Sequence, residues 1–145
     1  MLETISTFII GLIGGISVGI QSPITGLMSQ RIGSAAGSLI VHVSGAIFSL
    51  ILVIVRGGET IGEWRALPLY MLGSGAFGLL LVLTISHTIP RLGAGAGIVL
   101  IIVGQLVTGM VIDHFGWFGT PMRPVDLTRL IAAAMLLGGG YLMVR

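Results

Sequence analysis

The chain has 145 residues, 54% of them hydrophobic and 8% charged, with a mean hydropathy of +1.10, which excludes an ordinary soluble globular core. The absence of cysteine excludes disulfides, thiolate chemistry and cysteine-ligated metals. A net charge of +2, carried by Arg residues scattered one or two per loop, leaves no basic patch for nucleic acid.

All seven Arg and all five Asp or Glu lie outside five apolar intervals, 4–30, 32–55, 66–90, 92–112 and 130–144, which are 27, 24, 25, 21 and 15 residues long. A helix rising about 1.5 Å per residue needs about 20 residues to cross about 30 Å of hydrocarbon. Four intervals suffice unaided. The fifth becomes a workable span over 127–145 when Arg129 and Arg145 snorkel from its ends. The pattern predicts an all-α membrane protein with one transmembrane domain over 1–145 and helices near 4–30, 34–55, 67–88, 93–113 and 127–144. The first interval follows Glu3 instead of a basic n-region and leads into further spans, so it is expected to be a retained helix and not a cleaved signal.

The first span carries Gly11, Gly15 and Gly19 at four-residue spacing, a stripe that admits the close approach of another backbone. Further along, Gln21-Ser22-Pro23 interrupts the pattern, because Pro23 removes a donor and leaves the Gly19 carbonyl without its helical partner. Such a break is tolerated only facing protein or a polar cavity. In the second span Ser38, His42, Gly45 and Ser49 fall at spacings of four, three and four, and share a face expected to look into the bundle. His42 is the ionisable group well inside the spans, and no carboxylate lies in a span to pair with it. The loop that follows places Glu59, Glu63 and Trp64 at headgroup level, as Trp117 is placed later.

The third span has Gly73, Gly75 and Gly78 early and Thr84, Ser86 and His87 late, with Pro90 and Arg91 expected to close it. The fourth opens on Gly93, Gly95 and Gly97, and continues a small-residue face through Gly104 and Thr108 with Gln105 beside it near mid-membrane. Asp113 to Trp117 ends that span at the interface, Pro121 and Pro124 hold the loop, and Asp126 is placed to cap the fifth helix. That last helix, with Ala132 to Ala134 and Gly138 to Gly140, is expected to serve helix contact. No internal duplication is expected, since five spans do not divide into two equal halves.

With an odd number of spans the termini fall on opposite sides. One side then holds Arg56, Arg65, Arg123 and Arg129, and the other Arg31, Arg91 and Arg145. Four against three barely instructs the insertion machinery. Dual topology follows as an expectation. Two oppositely inserted copies would make an antiparallel homodimer of ten helices with inverted-repeat symmetry. A weakly biased monomer or parallel oligomer is the alternative.

The residues resemble the YdcZ-like proteins, a five-helix branch of the drug/metabolite transporter superfamily, over almost the whole chain. The resemblance rests on Gln21-Ser22-Pro23, Ser29-Gln30-Arg31-Ile32-Gly33-Ser34, Pro90-Arg91-Leu92-Gly93, Gly104-Gln105 and Asp113-His114-Phe115-Gly116. It implies half-sized relatives of ten-helix carriers that occur as single, paired or fused copies. Where the family often has Asn two residues after the Pro, this chain has Thr25, so a substrate contact there would differ. The family is similar to small multidrug resistance proteins in pairing small inverted units. Those use a glutamate in the first helix, whereas Gln21 is the strongly polar side chain here, which disfavours a cation exchanger built on a central carboxylate.

The expected function is secondary transport of a small polar or amphipathic solute in the plasma (inner) membrane of a bacterium, with the site at the midplane between protomers. Gln21, Ser22, Pro23, Thr25, Ser38, His42, Ser49 and Gln105 are the candidate substrate contacts, and His42, Asp113 and His114 the candidate gate or coupling groups. Each has a blander reading. A glutamine or histidine can staple two helices, at about 0.6 kcal/mol, and Asp113 and His114 can cap and anchor. The competing function is therefore a non-transporting membrane subunit. No cofactor or metal is expected. No nucleophile-elbow, zincin or phosphate-loop motif is present, so enzymatic activity is not expected.

Overall fold

The computed structural model describes residues 2–145, and its regular structure is helical throughout. In chain order these are α1 (Leu2–Ile32), α2 (Ser34–Val55), a 3-10 segment at Ile61–Ala66, α3 (Leu69–Leu72), α4 (Gly75–Leu92), α5 (Ala94–Phe115), a 3-10 turn at Trp117–Gly119 and α6 (Leu127–Val144). Four segments are long and apolar enough to cross a membrane: Glu3–Ile32, Ser34–Val55, Leu69–Leu92 and Ala94–Phe115. The third joins α3 to α4 through tightened turns, in which Ser74 N bonds the Met71 carbonyl and Phe77 N the Ser74 carbonyl. The shorter apolar helix, α6, has 18 residues and so spans about 27 Å.

Two compact units divide the chain, 1–90 and 91–145. In the first, α1 and α2 pack against each other and α4 lies on both. The contacts are made where side chains are smallest. A Cβ on Gly26 would meet Ile89 at 3.3 Å, one on Gly37 would meet Ser29 Oγ at 2.7 Å, and one on Gly78 would meet His42 Nε2 at 2.7 Å. The Gly11, Gly15 and Gly19 stripe makes no such contact: no atom of the described residues lies within 4 Å of their Cβ positions. Close approach therefore occurs lower on α1, and the stripe is left facing outward.

In the second unit α5 and α6 pack through Gly140, whose Cβ would lie 2.8 Å from Val99, and Gly95, whose Cβ would lie 3.2 Å from Met143 Cε. Asp126 caps α6 as expected, its carboxylate accepting from Arg129 N at 2.8 Å.

One sequence expectation needs correction. Pro90 does not close the third span, since α4 runs through it to Leu92, just as α1 runs through Pro23 to Ile32. Proline's fixed φ suits a helix, so the break is confined to one missing donor at the Gly19 and Ser86 carbonyls. What stops these helices is glycine. Gly33 (φ 90°, ψ 151°) and Gly93 (φ 80°, ψ 164°) occupy a region open essentially to glycine alone.

A short pattern recurs at the two glycine joints. Arg31-Ile32-Gly33-Ser34-Ala35-Ala36-Gly37 and Arg91-Leu92-Gly93-Ala94-Gly95-Ala96-Gly97 share one pattern at matching positions. Both restart the helix by a bond from the last glycine N to the Gly33 or Gly93 carbonyl, at 2.9 and 3.1 Å. An odd number of spans cannot be halved, but it can repeat a helix–Gly–helix joint. Gly33→Ala and Gly93→Ala should each cost about 1–3 kcal/mol, read as a lowered unfolding midpoint in mixed micelles. A neutral result at both positions would show that the joints are unstrained.

Candidate functional site

Polar side chains gather in four places, each built by a simple helical register. On α1, Ser22, Thr25 and Ser29 follow at spacings of three and four and so share a face. That face is buried, as is Ser38 of α2, with relative exposures of 1%, 2%, 7% and 2%. Ser86 Oγ of α4 lies 2.7 Å from both Ser29 Oγ and the Val82 carbonyl, while Ser22 Oγ donates to the Val18 carbonyl at 2.7 Å. No buried side-chain nitrogen or oxygen among the described residues lacks a partner. This seam is a closed hydrogen-bonded contact between helices.

At its edge stands His42. Its Nδ1 lies 2.7 Å from the Ser38 carbonyl, with Ser38 Oγ at 3.2 Å. A carbonyl oxygen only accepts, so Nδ1 carries a hydrogen. Nε2 of the same ring fits over Gly78, the one residue type on α4 that leaves room for it. Ser49 is exposed further along α2.

The other side of the α1–α2 pair forms a groove of about 570 Å³ lined by Ser17, Gln21, Thr25, Met28, Val41 and Ser44 among others. In the second unit, α5 and α6 form an open groove of about 530 Å³ lined in part by Gln105, Leu106, Gly109, Asp113, Arg129 and Ala132. Gln21 and Gln105 are both exposed, and neither side-chain amide makes a hydrogen bond among the described residues. In hydrocarbon an unbonded amide costs several kcal/mol.

The fourth cluster closes the end of α5. Arg129 Nη1 lies 3.4 Å from Asp113 Oδ2 and donates to the Arg123 carbonyl at 3.2 Å. Arg123 N donates to the Asp113 carbonyl at 2.8 Å, and Val125 N donates to His114 Nδ1 at 3.1 Å. His114 therefore has its hydrogen on Nε2. The ring meets Phe115 edge-on at 4.8 Å, and Phe115 stacks on Trp117 at 5.4 Å. Together these contacts clamp the loop between α5 and α6.

A family model described as "Putative inner membrane exporter, YdcZ" matches residues 6–142, nearly the full chain. The chain belongs to the YdcZ family. No curated protein and no solved structure matches it. This YdcZ-family protein is accordingly an inner-membrane protein of a transporter family, a family of exporters and not of enzymes. Its sequence-derived candidates do not converge on one spot. Gln21 and Thr25 share the α1–α2 groove, Ser38 and His42 pair with each other, Gln105 and Asp113 share the α5–α6 groove, and Ser22 is packed away with Ser29. Pro23 is only half-buried, beside that seam.

Four participants escape a sequence reading: Ser29, Ser86, Gly78 and Arg129. The Ser22, Thr25, Ser29 spacing was a visible signal for the first. The others depend on which helices meet, since Ser86 and Gly78 matter only because α4 lies on α1 and α2, and Arg129 only because α6 returns to Asp113.

Proposed function

We propose that this YdcZ-family protein is a secondary transporter of a small polar or amphipathic solute, working as an antiparallel homodimer of five-span protomers with its site at the midplane between them. The observation that carries this reading is the pair of unbonded amides. Gln21 and Gln105 each line a groove large enough for a small solute, and each lacks a partner among the described residues. A glutamine that merely staples helices is satisfied within the bundle, as the serine seam is. Unbonded amides instead need water, a solute or a second copy.

The near-even Arg count supports the inverted pair, and α6, flanked by Arg129 and Arg145, supports a fifth span. Outward-facing Gly11, Gly15 and Gly19 give a second copy a surface of close approach. His42, an ionisable side chain inside the second span, is the candidate coupling group, and the clamp at Asp113 and His114 the candidate gate.

The test is solute flux in proteoliposomes. Against a broad panel, the wild type should transport at least one solute, and Gln21→Leu and Gln105→Leu should each reduce its kcat/KM about ten-fold or more, the worth of one buried hydrogen bond of 1.4 kcal/mol or above. Both leucines remove polarity from an apolar helix, so both variants should insert and fold. Undiminished flux in the two variants would remove both glutamines from the solute path, and no flux from the wild type across the panel leaves the non-transporting subunit as the correct reading.

A further inference from the structure

From the α5–α6 groove we infer that this chain binds an amphipathic oxyanion, a carboxylate or phosphate head on a short apolar tail, with Arg129 as the head-group anchor and Gln105 marking the depth the tail reaches. The inference rests on the transporter reading only in naming the class of solute; the site itself stands on the groove.

Arg129 sits in the first turn of α6, held there by the Asp126 cap, and its side chain is 29% exposed into a space of about 530 Å³. A guanidinium offers five N–H donors in a planar fork, and its strongest pairings with carboxylate are two-pronged and near 2.8 Å. Neither condition is met inside the chain. Both side-chain bonds of Arg129 leave from Nη1, one of them to Asp113 at 3.4 Å, and among the described residues Nη2 and Nε make none. Arg129 thus lines the groove with donors that no oxygen of the described residues receives.

The rest of the groove states what the remainder of the ligand must be. Gln105, Gly109 and Asp113 follow at four-residue spacing on one face of α5, so the Gln105 amide lies about 12 Å from Asp113 along the axis. Between them Gly109 leaves open space where a side chain would stand, with no atom within 4 Å of its Cβ position. Ile102, Leu106, Met110 and Ala132 supply apolar walls. A groove of a few hundred Å³, apolar along its length and polar at its ends, suits a small amphipathic molecule lying with its head at Arg129 and its tail toward Gln105. Asp113 tunes the anchor, since its single loose contact partly neutralises Arg129 and repels an incoming anion.

The experiment compares pentanoate, pentan-1-ol and pentylammonium at equal ionic strength, with wild-type protein in phosphatidylcholine nanodiscs, by thermal shift and calorimetric titration. Pentanoate should bind and stabilise, and the other two should bind at least roughly ten-fold more weakly. Arg129→Lys keeps the charge but not the fork and should weaken pentanoate roughly ten-fold. Asp113→Asn removes the competing charge, keeps the shape, and should tighten pentanoate roughly three-fold. Pentanoate binding no tighter than pentan-1-ol, or Asp113→Asn leaving it unchanged or weaker, overturns the proposal even if an Arg129 variant fails to fold. Discs containing phosphatidylglycerol separate the source of the head group: competition with pentanoate assigns a lipid phosphate, and undisturbed pentanoate binding assigns a free solute, both consistent with an oxyanion site. The two readings fail separately. Tight pentanoate binding without flux of any solute sinks the transporter and leaves the site. Flux of neutral solutes with pentanoate indistinguishable from pentan-1-ol does the reverse.

Discussion

A reporter active only on the cytoplasmic side and one active only on the opposite side, fused in turn to Arg145, should both give signal, equal within about three-fold. The expectation follows from the Arg count. With five spans, Arg56, Arg65, Arg123 and Arg129 would face one side and Arg31, Arg91 and Arg145 the other, and a difference of one is too small to bias insertion. Two Lys added beside Arg56 change four-to-three into six-to-three and should skew the reporters by about ten-fold or more. Two Lys beside Arg31 should skew them the opposite way. Function should fall in each biased population and return when the two are co-expressed, because only the mixture supplies counter-oriented partners. A single orientation in the wild type, with full activity in either biased variant, would sink the antiparallel homodimer. The grooves holding Gln21 and Gln105 would then have to be served within one protomer or a parallel assembly.

The second large effect concerns His42. His42→Gln should retain the fold, since glutamine is of similar size, but should flatten the pH dependence of transport. The geometry supplies a second, independent variant. A Cβ at Gly78 would lie 2.7 Å from His42 Nε2, so Gly78→Ala must turn the imidazole away from α4 and disturb its 2.7 Å bond to the Ser38 carbonyl. The histidine then remains, in the wrong place. Gly78→Ala should therefore reproduce the flattened profile of His42→Gln, at about 1–3 kcal/mol in stability from overpacking. An unchanged pH profile in both variants would remove His42 from coupling and leave it as part of the serine seam.

Much of this protein is legible in the order of its residues. The apolar intervals determine helices, because no other structure satisfies the backbone in hydrocarbon, and their lengths place the spans to within a few residues. Family membership is equally legible, since Gln21-Ser22-Pro23 and Asp113-His114-Phe115-Gly116 are local strings that survive without knowledge of what they touch. The Asp126 cap is local too. Helix ends are less so: Pro90 reads as the end of the third span although Gly93 performs that role, because a missing donor is visible in a sequence whereas a positive φ is not.

What only the tertiary structure decided is which polar residues are already satisfied. Ser22 and Gln21 are neighbours in sequence and equally polar, yet 100° of helical rotation buries one against the seam and leaves the other open to a groove. Arg129 reads as a topology charge until α6 carries it back to Asp113 and sets it in the wall of a groove. Composition and periodicity determine which segments enter the membrane, because that depends on each segment's own transfer energy. Hydrogen-bond partnership depends on which helices meet, and that is set by glycine contacts between residues far apart in the chain, such as Gly78 with His42 and Gly140 with Val99.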